Sequence, residues 1–143
     1  MDNIQLSGTY FLSDFTRSQT ATRLGFTEQF DPPKEVVDYL KALVQNLIQP
    51  LRNVLGPGLV ISSGYRCDRL NTAVGGKPNS QHPKGQAADL EFYENGVKNN
   101  QKLINTVIAL KLEYDQMLDE FSGSWVHLSY HLGVNRKQNL TIS

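Results

Sequence analysis

The sequence is short of cysteine, net charge and long apolar runs, and each shortage excludes something. A single cysteine, Cys67, rules out an internal disulfide. The fold must therefore rest on an apolar core, with or without a metal ion. Lys+Arg and Asp+Glu both number 14, and no basic stripe breaks that balance. This argues against nucleic acid or an acidic membrane surface as the main partner. No apolar run approaches the ~20 residues that a membrane-spanning helix needs. The opening "MDNIQLSGTYFLSDF" has neither a basic start nor a long apolar segment, so no secretory leader is expected. Synthesis in the cytoplasm follows as an expectation. If the protein acts outside the cell, another agent must release or carry it.

What is present suits one domain. A chain of 143 residues buries roughly 68–70% of its unfolded surface, enough for a real core. A single domain over 1–143 and a monomer are the expectations. "SDFTRSQTATRLG" reads as one short helix, with Ser13 as N-cap and Gly25 as its stop. The strongest helical stripe runs through Val36, Val37, Leu40, Leu43, Val44, Leu47, Ile48 and Leu51, at three- and four-residue steps. Pro33 fits the first turn of that helix, and Pro50 should kink it or split off its last turn. "GLVISSGYR" reads as a strand and "CDRLNTAVGG" as a helical turn. "KPNSQHPKG" reads as a loop and "QAADLEF" as a strand. "GVKNNQKLINTVIAL" predicts a helix, and "EYDQML" and "WVHLSYHL" predict late strands. Helices first, then strands with an inserted helix, predict an α+β fold with a small, mostly antiparallel sheet.

The most informative stretch is "SQHPKGQAADLEF", Ser80 to Phe92. Alternation along a strand puts Ala87, Asp89 and Glu91 on one face and the apolar Ala88, Leu90 and Phe92 on the other. The same period in "WVHLSYHL" groups Trp125, His127, Ser129 and His131 opposite Val126, Leu128, Tyr130 and Leu132. If the two strands are neighbours over one core, Asp89 and His127 meet on the face away from it. His82, in the loop before the first strand, could reach the same point. Two imidazoles and a carboxylate form a common catalytic zinc set with one position open for water. The plainer alternative is a solvated His82 beside a turn and a half-buried His127. His131 lies too far along the strand to share an ion, and Cys67 reads as a small buried residue.

"SQHPKGQAAD" matches the pattern S-x-H-x-x-G-x-A-x-D at Ser80, His82, Gly85, Ala87 and Asp89. In this it resembles the zinc D-alanyl-D-alanine carboxypeptidase family, which includes phage endolysins and shares its architecture with hedgehog-type proteins. "SSGYR" upstream and "WVHLS" downstream resemble the same family, in the right order. "FTRSQTATR", "LGPGLVISSGYR", "YDQMLDEF" and "GVNRKQ" resemble a small single-domain branch of it, over nearly the whole chain.

The resemblance implies that His82, Asp89 and His127 bind zinc. It implies that Arg66, of "SGYR", holds a substrate carboxylate or stabilises an oxyanion, against the alternative of a surface arginine after a turn. Ser80 either hydrogen-bonds substrate or a metal ligand, or closes its own loop. Several members carry an acid three residues before the last ligand, where this chain has Ser124. More distant relatives carry a histidine two residues before it, where this chain has Trp125. Glu120 is the resemblance's candidate for general base, Asp119 is its rival, and a pair of solvated acids is the plain alternative. Strand parity separates the two acids only if the strand reaches them. Trp125 either walls a substrate cleft or simply packs. The implied activity is hydrolysis of peptide bonds in peptidoglycan stem peptides, by a carboxypeptidase or an endopeptidase acting on the cell wall, in the manner of a phage lytic enzyme. A zinc-stabilised binding module without turnover, and a plain α+β domain without metal, are the competing expectations.

Overall fold

The computed structural model describes residues 3–120 and 123–142. Helix α1 covers Ser13–Thr16 and α2 covers Gln19–Leu24. The single helix expected here is thus two, with its break at Arg17 and Ser18. Ser18 is extended (φ −161°, ψ 116°) and its hydroxyl accepts the Ala21 N–H. Ser18, not Ser13, is therefore the side-chain cap, because only a non-helical residue can turn its oxygen onto the next turn's free N–H groups. Gly25 ends α2 as expected.

The long apolar stripe forms α3 (Lys34–Leu43), a π-helical turn (Val44–Ile48) and α4 (Gln49–Leu55). Pro33 stands at the N-cap, one place before the first turn. The effect of Pro50 is a widened turn ahead of it rather than a split. Proline has no N–H to give a carbonyl four residues back, and the Gln49 N–H reaches five residues back to Val44 O. The helix axis continues, so Leu40, Leu43, Val44, Leu47, Ile48 and Leu51 all stay fully buried. Truncating one of these leucines to alanine costs roughly 2–5 kcal/mol.

The strands are β1 (Leu59–Ser63), β2 (Ala87–Glu94), β3 (Val97–Lys98), β4 (Gln116–Glu120), β5 (Trp125–Ser129) and β6 (Gln138–Ile142). They form a sheet of order β1-β2-β5-β4-β6, with β3 hairpinned onto β2. Every pairing is antiparallel except β4 with β6. The α+β class read from the sequence is the class observed. Two strands were not foreseen. The sequence pattern places Val97 and Lys98 in the following helix, yet Asn99 caps that helix by accepting the Lys102 N–H, so α6 begins only at Asn100 and ends at Ala109. The β6 segment is largely exposed and has no clear alternation. A short helix, α5 (Asp68–Ala73), lies between β1 and β2.

One sheet face, with Ala88, Leu90, Phe92, Met117, Val126 and Leu128, shares a core with Leu40, Leu47 and Leu51 of the long helix and Leu103 and Val107 of α6. Alternation turns Asp89 and His127 to the other face. That face is approached by the chain leaving β1, where a bulge between Ile61 and Ser63 shifts the register and re-aims the strand end. Among the described residues, no helix is long and apolar enough to cross a membrane.

Candidate metal centre

β2 and β5 are hydrogen-bonded neighbours, and their register sets Asp89 directly opposite His127. His82 arrives from a single 3-10 turn, His82–Lys84, closed by Gly85 at φ +74°. A Cβ on Gly85 would lie 2.6 Å from the Val36 carbonyl oxygen. Only glycine lets this turn seat against α3 and deliver His82 to the sheet. One ligand atom from each of His82, Asp89 and His127 lies within 4.8 Å of the other two. Asp89 Oδ1 is 3.1 Å from His127 Nδ1 and 3.4 Å from His82 Nε2. The three residues are 2%, 9% and 9% exposed for His82, Asp89 and His127, so water screens their charges poorly.

The outward nitrogens decide what the inward ones can do. His82 Nδ1 is 2.7 Å from the Gly64 carbonyl oxygen. A carbonyl only accepts, so Nδ1 carries the hydrogen and Nε2 turns its lone pair to the cluster. His127 Nε2 is 3.3 Å from Gln81 Oε1, which likewise only accepts, and Nδ1 is then the lone-pair atom facing Asp89. Two imidazole lone pairs and a carboxylate oxygen therefore converge in a buried place. They repel one another unless a proton or a cation lies between them. Such a donor set can hold a metal ion, and its chemistry suits a divalent ion of the zinc type. Where a proton rather than a cation lies between the donors, the balance at Asp89 is different: burial by itself would raise its carboxyl, but hydrogen bonds and charge from the His127 and His82 rings outweigh it and hold Asp89 well below the usual carboxylate range.

Arg66 stands beside this cluster. Its Nη2 is 3.5 Å from Asp89 Oδ2, its Nη1 donates to Asn71 Oδ1 at 3.2 Å, and its backbone N–H reaches His82 O at 3.4 Å. Among the described residues, Arg66 Nε is buried without a hydrogen-bond partner. Burial lowers the guanidinium pKa, while the charges of Asp89 and Glu120 pull it back up.

β4 extends through both acids. Leu118 lies opposite His127 and Glu120 opposite Trp125, while Asp119 lies opposite Val126. Glu120 and Trp125 thus share the sheet face of His127, and Asp119 shares that of Val126. The Trp125 indole Nε1–H donates to Glu120 Oε2 at 2.5 Å. Ser80 Oγ accepts the His82 N–H at 3.2 Å, a contact within its own loop. His131 is exposed and engages Asn135 through its backbone N–H, away from the cluster. Cys67 is buried. Phe121, the last residue of the "YDQMLDEF" block, lies outside the described residues.

Sequence reasoning did not single out Gln81, Asn71, Asp115 or Arg136. Gln81 adjoins His82 inside the matched pattern, at a place where the pattern allows any residue. Asp115 and Arg136 are distant in sequence and meet only because β4 and β6 pair in parallel. No local signal could have joined them.

No curated relative matches the chain. The family model described as peptidase M15 matches residues 9–129, a span that contains every residue of the cluster together with Arg66, Glu120 and Trp125. A match of that extent, over a fold that assembles a His-Asp-His ligand set, places the protein: the chain belongs to the peptidase M15 family.

Proposed function

We propose that this protein is a zinc-dependent peptidase acting on the stem peptides of bacterial peptidoglycan. One observation carries the reading: three buried donor atoms from His82, Asp89 and His127 converge within 4.8 Å, with an arginine and a glutamate on the same side of the sheet. Zinc, when bound, would supply Lewis acidity and a water molecule of lowered pKa. The residues of the chain divide the remaining work. Arg66 presents a guanidinium fork suited to the oxyanion that develops on the scissile carbonyl, or to the terminal carboxylate of a stem peptide. Its raised desolvation cost, and the unpaired Nε, favour an anionic partner. Glu120 takes the proton from the attacking water and returns it to the leaving amine. Its carboxylate is oriented for this by the Trp125 indole N–H. Ser80 supports the His82 backbone, and Trp125 contributes a wall of the cleft.

Purified peptidoglycan digested with the protein, followed by mass spectrometry of the fragments, tests the proposal. The expected result is release of a defined fragment whose mass names the bond, lost with a chelator and restored by zinc. A protein that takes up zinc in one-to-one ratio yet leaves peptidoglycan intact would instead be a binding module on this fold.

A further inference from the structure

A chain of four side chains runs outward from the cluster: His127, Gln81, Asp115 and Arg136. Its hydrogen-bond polarity is set from the far end. Arg136 has only donors to offer. Its Nε lies 2.9 Å from Asp115 Oδ1, its Nη2 lies 2.9 Å from Oδ2, and its backbone N–H lies 3.2 Å from Oδ1. Asp115, 4% exposed, is ionised beside that guanidinium and only accepts. Its second contact must then be with the amide nitrogen of Gln81, at 3.2 Å. This turns the Gln81 oxygen to His127 Nε2, at 3.3 Å. An oxygen there requires the imidazole hydrogen on Nε2, and a neutral ring has only one. With Gln81 reversed, the amide nitrogen would face Nε2, the ring hydrogen would move to Nδ1, and that lone pair would be lost to the cluster. Asp89 Oδ1, 3.1 Å from Nδ1, draws the hydrogen the same unhelpful way, so Gln81 acts against a real competitor.

We propose that Gln81, oriented by the Asp115–Arg136 pair, is a positioning residue that holds His127 in the tautomer whose Nδ1 can bind a metal ion. The inference rests on the reading of His127 as a ligand. It concerns ring orientation and tautomer and assigns Gln81 no contact with substrate.

Two measurements test it on the full chain: zinc affinity by competition with a chromophoric chelator at fixed pH, and proton–nitrogen spectra of the His127 Nε2–H in the zinc-loaded protein. Loss of a partner that orients a metal-bound histidine weakens the metal roughly 10–100-fold. Gln81→Leu is expected to fall in that range and to expose the Nε2–H to rapid solvent exchange. Asp115→Asn should weaken zinc as well, because Gln81 is no longer forced to point its nitrogen outward. Gln81→Glu should do the same, because it sets two carboxylates against each other. The double variant Gln81→Glu/Asp115→Asn restores the polarity between the two positions, since the introduced amide nitrogen donates and the introduced carboxylate accepts from both sides; the amide oxygen keeps the Arg136 Nε and backbone N–H, and only the Nη2 contact is given up. It is expected to recover zinc affinity to within a few-fold of wild type, an outcome that loss of packing would not produce. Should Gln81→Leu fail to fold, the comparison of Asp115→Asn with the double variant decides. Zinc affinity unchanged in Gln81→Leu, or a double variant no better than its parents, overturns the inference alone. A wild-type protein that takes up no zinc overturns the ligand reading and the inference together.

Discussion

Glu120 and Asp119 are adjacent carboxylates on one strand, and a single step along the pleat puts them on opposite faces of the sheet. Glu120 lies across from Trp125, two residues along the face from Leu118, which pairs with His127. Asp119 lies across from Val126 of the core face, and its Oδ1 is buried. Removing a general acid–base group costs about 10²–10⁴ in rate. Glu120→Gln is therefore expected to lose turnover by that order while its zinc content and melting temperature stay near wild type. Asp119→Asn is expected to keep turnover within a few-fold. Equal rates in wild type and Glu120→Gln on a defined muropeptide would remove Glu120 from the proposed chemistry. The sequence carried this distinction only conditionally, because parity separates the two acids only where the strand includes them. For Asp89 and His127 the same parity argument was sufficient, since both lie in the middle of strands whose apolar residues mark the core face without ambiguity.

The elements deliver the site through close approaches that have no room for a side chain. The loop after α5 passes Arg66 at Gly76, where a Cβ would lie 2.0 Å from Asn71 Oδ1 and 2.9 Å from Arg66 Nη1. Asn71 in turn accepts from Arg66 and donates to the Lys77 carbonyl. Gly76→Ala must push apart the contact that aims the guanidinium, without touching His82, Asp89 or His127. The expected outcome is a rise in KM or a fall in kcat of about tenfold or more, consistent with the sensitivity of positioned groups to small displacements, at unchanged zinc affinity. Steady-state kinetics beside a zinc titration would check it, and a parallel loss of both would point to general misfolding instead. At this scale, strongly periodic segments were legible in the sequence: the α3–α4 stripe and β2 stand where their periods put them, and β5 does so up to Ser129, three residues short of the end of the "WVHLSYHL" strand. The break at Ser18, the two-residue β3 and the exposed β6 were not. Each depends on a cap, a hairpin or a tertiary pairing that has no period of its own.

In the molecule as a whole, a conventional core on one side of the sheet carries a charged, desolvated cluster on the other. The core side is closed by the long helix and α6, with no disulfide to assist it. The opposite side gathers His82 from a turn and Asp89 and His127 from two strands, beside Arg66 from the exit of β1, so three separate stretches of chain must be in place before the donor set exists. An unfolded chain brings none of them together, and a metal ion bound to the cluster is therefore bound to the folded state almost alone. Binding to the native state only adds RT ln(1 + [L]/Kd), about 2.7 kcal/mol when free ligand is a hundred times Kd. For a chain of this size each kcal/mol raises the melting temperature by roughly 2–4 °C. Zinc at that excess is thus expected to raise the melting temperature by about 5–11 °C over the chelator-treated protein, and His127→Ala should abolish the increment. Differential scanning calorimetry of wild type and His127→Ala, each with zinc and with chelator, gives the comparison directly. The increment should keep growing with zinc concentration past saturation, about 1.4 kcal/mol per tenfold, because mass action continues to favour the folded state after every site is filled. A melting temperature indifferent to zinc in the wild type would mean that the three donors do not act as one site.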